Sequence, residues 1–219
     1  MKYFNIAGPC NKTDHYMIDA SERIHGVEEL IGYKQYFVIH AARQSGKTTY
    51  LKDLSNRLNA DGKYYCLYCS LESLQDVIDP QTGIPEIVRQ IQSKLARTDF
   101  PHKEEFAINA NYQSFTTVLF DELSKYVKIL DKPLVILFDE ADCLSEGTMI
   151  AFLRQLRDGH NSRAMSPFVD SVALVGMRNI RDYKVHLRPD SESLGTASPF
   201  NIITKAFTIN SFTKAQIEE

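Results

Sequence analysis

Tyr36-Phe37-Val38-Ile39-His40-Ala41-Ala42-Arg43-Gln44-Ser45-Gly46-Lys47-Thr48 decides how the rest of the chain is read. A short apolar run leads into a loop ending in G-K-T, and a helical pattern follows at once. That order predicts a buried strand, a phosphate-binding loop, and a helix whose N-terminus faces the same anion. Gly46 has no side chain, so the backbone can close around a phosphate with its N–H groups pointing inward. Lys47 adds a compact positive charge at the β- and γ-phosphates. Thr48 supplies a hydroxyl for the magnesium ion that rides on them. Arg43, Gln44, Ser45, Gly46, Lys47, Thr48 and Thr49 form the candidate nucleotide-binding set. Where such loops usually begin with glycine this chain has Ala41, which is tolerable if that residue keeps a negative φ.

Outward from the loop, strand and helix patterns alternate. A helix over 47–59 shows Leu51, Leu54 and Leu58 as its apolar stripe, and Asp61-Gly62 ends it. A strand over 64–70 follows, then a helix over 84–95 with Ile84, Ile87, Val88, Ile91 and Leu95 on one face. Residues 98–112 read as a polar, irregular surface excursion. A helix over 115–130 turns Val118, Leu119, Leu123, Val127 and Leu130 inward. The run 133–138 is almost wholly apolar, as expected of a strand covered on both faces, and ends in Asp139-Glu140. Next come a helix over 148–157 with Ile150, Leu153 and Leu156 inward, and a buried strand over 171–176 leading into Met177-Arg178-Asn179. Residues 185–199 are polar and turn-rich, with mobility expected, and 202–209 read as a last strand. The alternation predicts an α/β fold with a mainly parallel, doubly wound sheet whose ligands lie at the carboxyl ends of its strands.

The global numbers exclude several classes. The chain has 219 residues, enough for one large domain with a full core, and a net charge of −3 with 24% charged and 43% hydrophobic residues. Nothing in that balance advertises nucleic-acid binding. No stretch has membrane-spanning length and no secretion signal opens the chain, so the expected compartment is the cytoplasm. Cys66 and Cys69 form a C-x-x-C inside a strand pattern, which would turn them to opposite faces, and Cys10 and Cys143 stand alone. Core thiols are expected rather than a zinc site.

An apolar strand ending in Asp139-Glu140 is the expected partner of a phosphate loop. Asp139 would hold the magnesium shell with Thr48, and Glu140 would polarise the attacking water as general base. Two other motifs compete. Asn11-Lys12-Thr13-Asp14 spells the N-K-x-D that reads guanine, but it precedes the loop and no D-x-x-G follows. Asp139-Glu140-Ala141-Asp142 spells DEAD, yet the further helicase motifs and a second motor domain are missing.

Taken in order, F-N-I-A-G-P-C with H-Y-M-I, Y-F-V-I-H-A-A-R-Q-S-G-K-T-T, L-V-I-L-F-D-E-A-D, F-L-R-Q-L-R, V-A-L-V-G-M-R-N, S-P-F-N-I and the closing F-T cover nearly the whole chain. The series resembles AAA-like ATPases of the signal-transduction (STAND) class, close to the archaeal-ATPase-like and AAA+ families. The resemblance implies a P-loop NTPase of the ASCE type with five strands in the order 5-1-4-3-2 and helices on both faces. It also implies ATP and Mg²⁺ as ligands. An arginine after the fourth strand, here Arg178 with Asn179 as fallback, would sense the γ-phosphate. The adenine would lie along residues 14–24, where His15 and Tyr16 could equally be packing residues. Such sites are often completed by a neighbour's arginine in a nucleotide-dependent oligomer; no arginine here is singled out for that task, and Arg154, Arg157 and Arg163 could serve it but read first as solvated helix-face charges. The family continues into a helical lid. The expected organisation is therefore a core domain over 1–210 and the start of a truncated lid over 211–219, opened by Thr213-Lys214-Ala215-Gln216.

Three functions stay open on these residues. One is a regulatory ATPase that couples its nucleotide state to an unknown protein output partner. The second is a nucleotide-gated scaffold that binds ATP or ADP without turnover. The third is a fragment of a helicase-type, RecA-like motor.

Overall fold

A computed structural model describes residues 2, 3, 5, 8, 10, 13–16, 24–40, 42, 44–108, 114–176 and 202–209. The first strand, β1 (Tyr36–His40), is followed by α2 (Lys47–Asp61), with a short α1 (Val27–Gly32) ahead of both. Then come β2 (Tyr65–Ser70), α3 (Pro80–Leu95), α4 (Val118–Ile129), β3 (Leu134–Asp139), α5 (Glu146–Ser162), β4 (Ser171–Gly176) and β5 (Ile203–Thr208). All strand pairings are parallel, and the order is β2-β3-β4-β1-β5. Read from the other edge, this is the order 5-1-4-3-2.

Strand periodicity divides the core into two. Val38, Cys69, Ile136, Phe138 and Leu174 face α3, α4 and α5, whereas Phe37, Cys66, Leu137, Val175 and Phe207 face α1 and α2. β3 and β4 are buried at all six of their positions, which is why both read as unbroken apolar runs. Cys66 and Cys69 lie in different halves of the core, as expected, and burial pushes both thiols up to about 12.

Several elements depart from expectation. α3 starts at Pro80 rather than near 84, because Asp79 caps it by accepting from the Thr82 N–H and Pro80 sits at the first helical position. Gly83 in its first turns reads as a breaker, but a Cβ there would stand 2.5 Å from Thr148 Oγ1, so this glycine lets α3 approach α5. α5 buries Met149 and Phe152 with Leu153 and Leu156, while Ile150 is only partly covered. The expected irregular excursion contains a 3-10 turn (Lys103–Glu105), after which Phe106 is fully buried against the Tyr126 ring. Among the described residues no helix is long and apolar enough to cross a membrane. The expected mobile segment 185–199 and the expected lid 211–219 lie outside the described residues.

One tie between helices is not visible in any local pattern. Gln155 of α5 is 3% exposed, and its Oε1 accepts from the N–H groups of Leu119 (2.9 Å) and Phe120 (3.2 Å). Its Nε2 donates to the Phe115 carbonyl at 2.9 Å. Thr117 at the start of α4 makes no side-chain cap of its own. Gln155 therefore caps α4 from another helix.

Candidate functional site

The carboxyl ends of β1 and β3 are brought together by the sheet order, with β4 between them. After β1 the chain turns sharply, with Gln44 (φ 58°) and Gly46 (φ 86°) both left-handed. Such alternation aims successive N–H groups into one concavity. Ser45 Oγ donates to the Ala42 carbonyl at 2.7 Å and Lys47 Nζ to the same oxygen at 3.3 Å, so both close the loop on itself. α2 then begins at Lys47 with no side-chain cap and no acidic residue in its first turn. The N–H groups of Lys47, Thr48 and Thr49 have no acceptor within the helix, and the dipole there is positive. An N-terminus of this kind can be completed by an anion.

On β3, Asp139 is only 1% exposed, and its carboxylate is held by three donors. Thr48 Oγ1 donates to Oδ2 at 2.7 Å, Tyr68 Oη to the same oxygen at 2.9 Å, and the Glu140 N–H to Oδ1 at 3.0 Å. Thr48 and Asp139, 91 positions apart in sequence, thus meet directly. Their two hard oxygens can face one small cation. Among the described residues no group of three or more His, Cys, Asp or Glu could hold a metal by itself. The pair suits Mg²⁺, which commonly takes one or two carboxylate ligands and draws the rest from phosphates and water.

Glu140 is partly exposed and left-handed (φ 55°, ψ 38°), at a backbone cost of about 1–2 kcal/mol for a non-glycine residue. The bend starts a 3-10 turn (Ala141–Cys143) that takes the chain out of the strand direction at Glu140. Burial raises its pKa first, and the charge of Asp139 raises it further; Lys47 opposes them, while Asp142 and Glu72 add to the rise. Asp142 presses on the end of β4, where a Cβ on Gly176 would lie 2.5 Å from Asp142 Oδ1. The acidic turn and the strand leading to Arg178 therefore touch at a position only glycine fits.

Not every expected residue joins the group. Arg43 and Arg178, with the fallback Asn179, lie outside the described residues, as do Asn11 and Lys12 of the guanine-like motif. The Thr49 hydroxyl accepts from the Cys10 N–H at 3.1 Å, which turns it toward the N-terminal segment. His15 is buried and packs edge-on against Tyr3 (4.8 Å between ring centroids), while Tyr16 is exposed. A cavity of about 310 Å³ opens between residues 24–29 and α2, with Tyr50 and Arg57 on its α2 side. Arg163 is no candidate for a neighbour's site. It donates to the carbonyls of His160, Lys34 and Asp170 and stacks over the Tyr36 ring, at the opposite ends of β1 and β4. Tyr68 was not foreseeable from its local pattern, since Y-Y-C-L-Y-C-S shows only an apolar strand.

A family profile described as an AAA domain matches residues 31–183, which is most of the chain. The chain belongs to the AAA domain family. Among curated proteins none matches it in sequence. Its fold is similar to a chain of the Drosophila ORC complex bound to poly(dA/dT) DNA and Cdc6, with a TM-score of 0.58 and 11% identity over 88% of this chain and 29% of that one. It is also similar to Cdc6p from Pyrobaculum aerophilum, with a TM-score of 0.57 and 16% identity over 89% of this chain and 48% of that one. At such identities the likeness is one of fold, and this chain spans less than half the length of either of these proteins.

Proposed function

We propose that this AAA domain binds ATP with Mg²⁺ at its phosphate loop, hydrolyses it, and passes its nucleotide state to an output partner as a STAND-type regulatory ATPase. The contact between Thr48 and Asp139 carries the reading. It joins the phosphate loop to the acidic strand end at 2.7 Å, beside an uncapped helix N-terminus. The loop N–H groups and Lys47 would grip the β- and γ-phosphates, with Arg43, Gln44, Ser45, Gly46 and Thr49 shaping the cradle. Thr48 and Asp139 would hold Mg²⁺, whose donor preferences these oxygens fit. When bound, the ion offsets negative charge on the phosphates.

Glu140 would take the proton of the attacking water. Its raised pKa makes it a stronger base than an ordinary glutamate, and its backbone N–H holds Asp139 Oδ1 while Oδ2 accepts from Thr48. Arg178 follows the end of β4 by two residues in the sequence and is assigned the γ-phosphate. Residues 14–24 would lie on the adenine side. A cytoplasmic location and a nucleotide-dependent oligomer fit the same reading. DNA in the Drosophila complex belongs to that complex; the net charge of −3 here does not favour a nucleic-acid partner.

The test is thermal melting with Mg-ATP, Mg-ADP and Mg-GTP, on the wild type and on Lys47→Ala, combined with phosphate release by Glu140→Gln. Adenine nucleotides at about a hundred times their dissociation constant should raise the wild-type midpoint by roughly 5–10 °C, and Lys47→Ala should lose the shift. Equal shifts with GTP would revive a guanine-binding reading. Glu140→Gln should keep the shift while turnover falls by about 10²–10⁴-fold. Binding by a wild type with no turnover would leave the nucleotide-gated scaffold.

A further inference from the structure

Tyr68 stands on β2 opposite Leu137, two residues before the register pair Ser70–Asp139. Its phenol reaches along the sheet end to Asp139 Oδ2, the oxygen that also accepts from Thr48. The other oxygen, Oδ1, accepts from the Glu140 N–H. One hydroxyl alone would leave the carboxylate plane free to rock about its terminal torsion. Two hydroxyls on one oxygen and an N–H on the other fix that torsion as well. The ring is itself held. Lys52 Nζ lies over it at 5.4 Å from the centroid, and Lys52 is one helical turn beyond Thr48 on α2. A cation over an aromatic face is attracted to it, so Lys52 helps hold the phenol in place. The phosphate-loop helix thus touches Asp139 twice, directly through Thr48 and indirectly through Lys52 and Tyr68.

We propose that Tyr68 is a positioning residue for Asp139. It holds the carboxylate with Oδ2 toward Thr48 before any nucleotide arrives, and so sets how much Mg²⁺ strengthens nucleotide binding. The proposal rests on the Mg-nucleotide reading of the site. The phenol's contact on the loop side is Thr48, a partner of the cation rather than of the phosphates, so its loss should fall on the Mg²⁺-dependent part of binding.

Equilibrium titration of the full chain with a fluorescent ADP, in EDTA and in excess Mg²⁺, separates the possibilities. In the wild type Mg²⁺ should tighten binding. Tyr68→Phe keeps the ring, its packing and the Lys52 contact but loses the hydroxyl. Its affinity in EDTA should stay within about twofold of wild type, while the gain from Mg²⁺ should shrink by about tenfold, as for other partners of metal-holding groups. Lys52→Met, at an exposed position, should shrink the gain by about threefold, and it tests the proposal independently if Tyr68→Phe folds poorly. An unchanged gain in Tyr68→Phe, or equal weakening with and without Mg²⁺, would overturn the positioning role alone. A wild type that binds no ADP, or gains nothing from Mg²⁺, would overturn the underlying site instead.

Discussion

Replacing Asp139 by asparagine removes one negative charge from a side chain that is 1% exposed while keeping its shape. Two opposing terms follow. The hydrogen bonds to Thr48, Tyr68 and the Glu140 N–H are now made by a neutral amide. Bonds to a charged group contribute about 1.5–3 kcal/mol each and neutral ones about 0.5–1.5, so roughly 3–5 kcal/mol is lost. Both hydroxyls can rotate to accept from the new amide, which keeps the loss near the lower end. Against it stands the cost of holding an ion out of water, still several kcal/mol after relaxation, which the neutral amide avoids. The terms nearly cancel, and the unliganded domain should change in stability by no more than about 1–2 kcal/mol.

Binding should respond very differently. At an ADP concentration about a hundred times the wild-type dissociation constant, with Mg²⁺, the ligand stabilises by about 2.7 kcal/mol. A hundredfold loss of affinity in Asp139→Asn would leave RT ln 2, about 0.4 kcal/mol, and a midpoint shift of about 1–2 °C in place of roughly 5–10 °C. Calorimetric melts with and without Mg-ADP read both quantities. A full ligand shift in the mutant would refute the cation role. A mutant melting more than about 15 °C below the wild type without ligand would instead make Asp139 a structural anchor of the sheet end.

Turnover should fall as pH drops through the Glu140 pKa, because only the ionised form accepts a proton. Burial and Asp139 place that limb above the usual glutamate range, and a rate that is flat across it would remove Glu140 as base. The same shift has a stability sign: the folded state binds this proton more tightly, so its contribution is present at low pH and lost as pH rises through the raised value. Denaturant melts at two pH values with Glu140→Gln as reference should show that loss in the wild type only. Gln155→Leu removes three hydrogen bonds and leaves the Leu119 and Phe120 N–H groups without their acceptor at the start of α4. A loss of about 2–4 kcal/mol, or roughly 5–15 °C in midpoint, is expected; a change under about 1 °C would show that the cap contributes little.

Much of this molecule is legible in its residues. The apolar runs that become β3 and β4 need no partner to be recognised, because strands covered on both faces must be apolar throughout. α2 is equally plain, since glycine ahead of it and a three-four stripe within it follow from helix geometry. The six-residue α1 is not predicted, being too short to show a period, although it buries Val27 and Ile31. The start of α3 is misplaced because its apolar stripe begins only at Ile84, whereas the helix opens four residues earlier, at Pro80 behind the Asp79 cap, with Gly83 admitting Thr148. Arg163 looks like a solvated helix-face charge in the sequence, yet three carbonyls and an aromatic face claim it in the fold.

By itself the sequence determined the chemistry available: a lysine and a threonine behind a glycine turn, an acid pair at the end of a buried strand, and the local periods that make each element. Those features depend on neighbours along the chain, and short-range sterics and hydrophobic spacing are enough to express them. The tertiary structure alone decided that Thr48 and Asp139 share a hydrogen bond, that Tyr68 reaches the same oxygen, and that Gln155 caps a distant helix. The first depends on β4 being inserted between β1 and β3, an order that the family resemblance implies but no periodicity contains; the second depends on the register of β2 against β3, and the third on how α5 packs on α4. Side-chain reach across a sheet end is set by register and packing, and neither is written in the spacing of residues.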